Sequence, residues 1–292
     1  MLPEELHNSV EAALTTLSRY PVKIKESQPH GGGCINETYA LKTNAGHFFL
    51  KYNRAALFPG MFEKEAAGLK ILGDTNTIFV PGVTTTGATE NYAFLLLHFI
   101  ESGNMPAGFW VTFGTQLAEL HRNTALYFGL EHDNYIGSLV QTNKTDTDFY
   151  GFYISQRIEP QLAIARNKGA FSRSDTVYFD SLFRQLHNVI PAEKPALIHG
   201  DLWSGNYLVS ENGSPCLVDP AVYYGHRESD ISMTQLFGGF KPEFYQAYNH
   251  AWPMEKDWQK RIDIFNLYPL LVHVNLFGGA YSRQVLQIIR QF

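Results

Sequence analysis

Asp201, Asn206 and Asp219 carry the chemistry that the segment HGDLWSGNYLVSENGSPCLVDP could perform. Asp201 and Asn206 are five positions apart, and Asp219 follows thirteen positions later. The runs YLV (207–209) and CLV (216–218) flank SENGSP as the strands of a short hairpin flank its turn, so the later acid returns towards the earlier pair. Magnesium prefers oxygen ligands and commonly takes one or two carboxylates plus the phosphates of a nucleotide. Asn206 and Asp219 can therefore be the metal ligands, leaving Asp201 to receive the proton of an acceptor hydroxyl. These are the parts of a phosphoryl-transfer site.

Two further residues suit that chemistry. Lys51, in FFLKYN, offers a cation to nucleotide phosphates, and Glu65 on the following helical segment can pair with it. Gly31, Gly32 and Gly33 let backbone approach a phosphate closely, although the same run also serves as an ordinary turn. No Gly-Lys-Ser or Gly-Lys-Thr ending follows the run, so it is not a Walker A loop. His199 precedes Gly200 and is read as a residue that orients the loop through hydrogen bonds, with direct chemistry as the alternative.

The elements that must position these groups follow from periodicity. Residues 4–18 read as an amphipathic helix with Leu6, Val10, Ala13, Leu14 and Leu17 on one face. The stretch from Val22 to Asn53 reads as short antiparallel strands, with Lys51 on the last of them. A helix then follows Pro59 with Phe62, Ala66, Leu69 and Leu72 as its stripe, and Glu65 at the stripe's edge looks towards the sheet. IFVPGVTTTGATENYAFLLLHFI reads as strand, turn at Gly87, and strand. Beyond residue 101 the pattern becomes mainly helical, starting near Trp110, with YLV and CLV as the exceptions.

Composition narrows the classes. In 292 residues, 45% are hydrophobic and 17% charged, which fits a folded chain and excludes disorder. The formal charge of -5 arises without any block of Lys and Arg, so nucleic acid is not expected as a partner. Two cysteines are too few for a disulfide scaffold or a cysteine-built zinc site. No signal core or membrane-length apolar run is present, and a cytoplasmic protein that does not enter a membrane is expected.

HGDLWSGN (199–206) followed by DPA (219–221) resembles the catalytic and metal-binding signatures of the fructosamine kinase family, within the aminoglycoside phosphotransferase and protein kinase-like fold. GGGCINE, FLKYN, FEKEAAGLKIL, LAELHR and DNYIGSLVQTN extend the resemblance over nearly the whole chain. It implies an α+β, two-lobed kinase-like fold: a small antiparallel-sheet N-lobe over residues 1–100 and a larger, mainly helical C-lobe over 101–292. It also implies Asp201 as the base, Asn206 and Asp219 as Mg2+ ligands, Lys51 with Glu65 at the phosphates of ATP, and phosphorylation of the 3-hydroxyl of a ketosamine.

The same resemblance makes LLHFI (96–100) a connector whose backbone, at His98 and Ile100, holds adenine. It brings Asn134, Tyr135 and Gly137 near the acceptor or leaves them as loop packing, and makes Trp203 either an acceptor wall or a packing residue. Asp230 is expected to bond the catalytic-loop backbone. Cys34 is either redox-responsive or idle. Asp-Pro-Ala replaces the Asp-Phe-Gly of protein kinases, so no phenylalanine switch carries over. The acceptors implied are fructosamine, ribulosamine or erythrulosamine adducts of small amines or of protein lysines, acted on by a monomer or homodimer. The alternatives are a kinase of another amino sugar or aminoglycoside, and a non-catalytic nucleotide-binding regulator.

Overall fold

FFLKYN lies in the middle strand of a five-stranded antiparallel sheet. A computed structural model describes residues 2–31 and 35–292. The elements of the first part are α1 (Glu4–Ser18), β1 (Ile24–Pro29), β2 (Glu37–Thr43), β3 (Gly46–Arg54), α2 (Met61–Asp74), β4 (Val83–Ala88) and β5 (Tyr92–His98). The strand order is β1-β2-β3-β5-β4.

Alternation along β3 sends its side chains to opposite faces. Phe48, Leu50 and Tyr52 join Tyr39, Leu41 and Leu96 in a core that α1 closes with Leu6, Val10 and Leu14. Leu17, expected on the same stripe, is 55% exposed, because the helix ends one residue later and Arg19 turns the chain at φ 64. The opposite face of the sheet presents Phe49, Leu95 and Leu97 to Phe62 and Leu69 of α2. Lys51 shares that face, which is why it meets α2.

Gly87 is a correction to the sequence reading. It lies inside β4 opposite Phe94, and the chain reverses at residues 89–91, where the Thr89 N–H donates to Tyr92 O at 2.7 Å. A Cβ at Gly87 would come within 2.5 Å of the Phe94 ring. Glycine is therefore kept by ring packing across the strands rather than by a turn. Gly87→Ala is expected to destabilise the fold by about 1–3 kcal/mol through overpacking. Urea-induced unfolding of the variant beside the parent protein checks this.

The remaining elements are α3 (Phe109–His121), β6 (Asn134–Ile136), β7 (Leu139–Gln141), α4 (Phe149–Phe152), a π-turn (Tyr153–Ile158), α5 (Glu159–Asn167), α6 (Thr176–Val189), β8 (Ala196–Ile198), β9 (Tyr207–Val209), β10 (Pro215–Leu217), β11 (Tyr223–Gly225), α7 (Glu228–Leu236), α8 (Pro242–Ala251), α9 (Ile262–Phe277) and α10 (Ala280–Ile289). α3 buries Trp110, Phe113, Leu117 and Leu120 along one face, in the region that the sequence reads as helical from near Trp110. Gly114 lets α8 approach, because a Cβ there would collide with Phe244 O.

The chain divides into two compact units, Met1–Ala107 with Leu208–Val218, and Gly108–Tyr207 with Asp219–Phe292. The α+β class with an antiparallel-sheet N-terminal lobe and a larger helical lobe is the one that the sequence predicts. The helical part nevertheless contains more strands than YLV and CLV. β6 pairs with β7, and β8 pairs with β11 through Ile198↔Tyr223 and Leu197↔Tyr224. Each of these strands is three residues long, too short for an alternating pattern to stand out. Among the described residues, no helix is long and apolar enough to cross a membrane.

Candidate active site

Pairing of β8 with β11 is the local event that builds the site in the second unit. β8 runs directly into His199, Gly200 and Asp201, and β11 is entered from Asp219 through Ala221 and Val222. The Ala221 N–H donates to His199 O at 2.9 Å, tying the two segments immediately beside the pair. Gly200 has φ 82, and a Cβ there would run into Ala221 O, so this close approach requires glycine.

Asp201 and Asn206 form one hydrogen-bonded group. Asn206 is 5% exposed, and its Nδ2 donates to Asp201 O at 2.8 Å and to Asp201 Oδ2 at 2.9 Å. The turn between them is closed by the Asn206 N–H to Trp203 O bond, 3.0 Å. Burial pushes the Asp201 carboxyl up to about 7; the Asn206 amide opposes the shift, and the charges of Asp219 and Asp230 add to it.

Asp219 adopts φ 55, in the left-handed region that short acids tolerate better than other side chains. The Asn206 amide protons are spent on Asp201, which leaves its Oδ1 as the atom suited to a hard cation. That oxygen and the Asp219 carboxylate fit a magnesium ion in donor type.

His199 and Asp230 hold this loop. His199 is fully buried, and its Nδ1 accepts from the Asp201 N–H at 3.3 Å. Asp230, in the first turn of α7 and 1% exposed, accepts from the backbone N–H of His199 at 2.7 Å and of Gly200 at 2.9 Å. His121 Nε2 approaches the same carboxylate at 3.1 Å, and His121 Nδ1 lies 2.8 Å from Tyr248 Oη. Burial alone would raise the Asp230 pKa, but the His121 bond, the charges of His121 and His199 and the Gly200 N–H keep it below the usual carboxylate value. His226 and Glu228 support the helix instead: His226 Nε2 bonds Pro191 O at 3.2 Å, and Glu228 holds Arg261 through two bonds of 2.5 and 2.7 Å.

Within the first unit, Lys51 is 4% exposed and its Nζ lies 2.6 Å from Glu65 Oε1. Glu65 sits one turn after Phe62 on α2, which aims it at the Lys51 face of the sheet. His98 ends β5, and its N–H donates to Gly82 O at 2.9 Å. Ile100 is half-buried just beyond it. Gly31 is exposed, and an added Cβ there would meet nothing within 4 Å, so packing does not dictate glycine at that position. Gly32, Gly33 and Cys34 lie outside the described residues.

Trp203 is half-buried. Its indole lies over Gly205, where a Cβ would strike the ring, and it meets Phe237 edge-on at 5.7 Å. Phe237 in turn meets His273 at 5.0 Å. The sequence reading offered no role for His121, Gln141, Arg157, His273 or Tyr268. A polar residue inside an apolar helical stripe was the available signal for His121, which follows Leu117 and Leu120 on α3. Asn134, which the resemblance puts at the acceptor or in loop packing, is 5% exposed, and its Nδ2 donates to Val222 O at 2.8 Å. Tyr135 follows Asn134 on the short β6 strand, and Gly137 comes directly after the strand's end.

The family model for "Fructosamine kinase" matches residues 6–292. A protein of Enterococcus faecium named "Probable ketoamine kinase" is 42% identical over 266 residues, covering 90% of this chain and 94% of its own. A chloroplastic "Protein-ribulosamine 3-kinase" of Arabidopsis thaliana is 38% identical and covers 90% of this chain and 81% of its own. Among solved structures, a "Putative fructosamine-3-kinase" from Thermobifida fusca is 34% identical with a TM-score of 0.86, over 97% of this chain and 98% of the other. The match runs through both units and includes the loop that joins Asp201 to Asn206. The chain belongs to the fructosamine kinase family.

Proposed function

We propose that the protein transfers the terminal phosphoryl group of ATP to the 3-hydroxyl of a ketosamine, the adduct of a sugar such as fructose, ribulose or erythrulose with an amine. The observation that carries this reading is the double hydrogen bond from Asn206 Nδ2 to Asp201. It fixes the carboxylate that receives a proton and turns the neighbouring amide oxygen towards a different task.

In the reaction, the bond between the terminal phosphorus and its bridging oxygen breaks, a bond to the acceptor oxygen forms, and the hydroxyl proton passes to the Asp201 carboxylate. Asn206 Oδ1 and Asp219 would hold magnesium, which when bound neutralises charge on the phosphate oxygens. Lys51, held by Glu65, is assigned to the nucleotide phosphates together with the Gly31–Gly33 run, and the backbone at His98 and Ile100 to adenine. Because the His98 N–H already reaches Gly82 O, the donor to the base is assigned to Ile100. Residues 1–100 serve the nucleotide, and residues 101–292 supply catalysis and the acceptor site.

The Trp203–Phe237–His273 row supplies an aromatic wall for the acceptor, since rings present their faces to sugar C–H groups and to protonated amines. Trp203→Ala is expected to raise the acceptor KM about tenfold, equivalent to about 1.4 kcal/mol of binding, with a smaller change in kcat. Steady-state kinetics with a single ketosamine read this split. Protein-bound ketosamines are assigned as acceptors beside those of free amines.

An acceptor panel tests the whole reading: magnesium-dependent ADP release with fructose-, ribulose- and erythrulose-derived amines beside aminoglycosides. Phosphorylated ketosamine is expected. Phosphorylated aminoglycoside would move the chain to another acceptor class, and nucleotide binding without product would make it a regulator.

A further inference from the structure

Arg157 is fully buried, yet every hydrogen bond it makes goes to a neutral group. Its Nη1 donates to Thr142 O at 2.6 Å and Gln156 O at 3.0 Å, and its Nη2 donates to Asn143 Oδ1 at 2.7 Å. The guanidinium stacks 3.8 Å above the Tyr223 ring, with Phe152 at 4.6 Å and Tyr268 at 5.4 Å. Its Nε is buried without a partner. Burying a cation this way is costly unless something is gained from its placement.

The backbone around it is also irregular. Arg157 sits in the π-turn Tyr153–Ile158, a form often found at functional sites. Tyr153 Oη from that turn donates to Ile264 O at 2.6 Å and lies 3.4 Å from Phe265 O. Pro269 lacks the N–H that would normally bond Phe265 O, so the π-turn braces α9 next to Tyr268.

From Arg157 the bonds run in one direction. Asn143 Nδ2 donates to Asn134 Oδ1 at 3.0 Å, and Asn134 Nδ2 donates to Val222 O at 2.8 Å. Tyr268 Oη donates to Gln141 Oε1 at 2.7 Å, and Gln141 Nε2 donates to Asn134 Oδ1 at 2.8 Å and Ala221 O at 3.0 Å. The two chains of bonds end on adjacent carbonyls of the non-repetitive segment that carries Asp219 in its strained conformation. Satisfying two buried carbonyls needs only two amides. Here those amides are themselves fixed by a phenol and a stacked cation.

We propose that Arg157, Asn134, Gln141, Asn143 and Tyr268 form a positioning network that sets the backbone of residues 219–222, and through it the Asp219 carboxylate, for the divalent cation. The proposal rests on the reading of Asp219 as a metal ligand. These residues touch neither nucleotide nor acceptor in this role; they act through the carbonyls of Ala221 and Val222.

The test uses the full chain with Gln141→Ala, Tyr268→Phe and Asp219→Asn. Bound Mn2+ is counted by electron paramagnetic resonance in the presence of a non-hydrolysable ATP analogue, beside the Mg2+ dependence of turnover and the melting temperature. Gln141→Ala is expected to raise the Mn2+ Kd and the half-saturating Mg2+ about tenfold, the effect typical of groups that orient a metal ligand. Tyr268→Phe, which removes one hydroxyl and keeps the ring, is expected to do so about threefold and to recover most of kcat at high Mg2+. It carries the test if Gln141→Ala does not fold.

Lower melting temperatures with parental Mn2+ affinity in both variants would overturn the network and reduce it to structural support. Unchanged Mn2+ binding in Asp219→Asn would instead overturn the assignment of the metal ligand itself.

Discussion

Asp201→Asn is expected to lower kcat by about 10²- to 10⁴-fold, the range by which a positioned general base accelerates proton transfer. The KM for ATP should change little. Asparagine keeps the shape of the side chain and an oxygen that accepts from Asn206 Nδ2, so the loop has no reason to rearrange. Stability should move the other way. Burial and the charges of Asp219 and Asp230 hold the Asp201 carboxyl at about 7 in the folded state, well above its ordinary value of 3.8. A group so raised favours the folded state at low pH, and that contribution is lost as pH rises towards about 7. The asparagine variant has no such loss, so above neutral pH, without divalent cation, it should melt no lower than the parent protein. Melting curves at pH 5 and pH 8 beside single-turnover rates check both statements. A variant that melts far lower would mean that Asp201 is a structural residue.

Asp230→Ala is expected to have the second largest effect, through the fold of the loop. The substitution leaves the N–H groups of His199 and Gly200 without their acceptor and removes the carboxylate beside His121, all in buried positions. Removing one partner of such a buried pair costs about 3–5 kcal/mol. The same change frees Gly200, whose close approach to Ala221 fixes where Asp201 and Asp219 stand. Activity should therefore fall even at temperatures where the variant is fully folded. Because Asp230 is held below its usual pKa, its contribution to stability is present above the ordinary carboxylate range and is lost in acid. The alanine variant should consequently lose less stability than the parent between pH 5 and pH 3, which equilibrium unfolding in urea will show.

These two residues also illustrate what the sequence makes legible. Asp201, Asn206 and Asp219 stand out because acids and amides recur at fixed intervals among short apolar runs, and the bonds from Asn206 Nδ2 to Asp201 join the first two. The pairing of Lys51 with Glu65 was readable from two periodicities, alternation along β3 and the stripe of α2, and the two residues meet at 2.6 Å. Asp230 was placed on the catalytic-loop backbone by resemblance, and it accepts from that backbone.

Other features depended on contacts that no local pattern encodes. Gly87 looked like a turn because glycine usually marks one, whereas its reason is the Phe94 ring on the neighbouring strand. Strands β8 and β11 are joined by pairing between segments distant in sequence, β6 and β7 form a tight local hairpin, and all four are too short to show alternation. The network that joins Arg157, Gln141 and Tyr268 is spread over more than a hundred positions, with 127 between Gln141 and Tyr268, so only the folded chain assembles it.

The measurement that tests the account most directly is the position of the new phosphate. The protein is incubated with magnesium, ATP and a ribulose- or fructose-derived amine, and the product is examined by phosphorus–proton correlation spectroscopy beside the Asp201→Asn control. Coupling of phosphorus to the proton on the third sugar carbon, absent in the control, is the predicted result. Phosphate on any other oxygen, or undiminished product from Asp201→Asn, would contradict it.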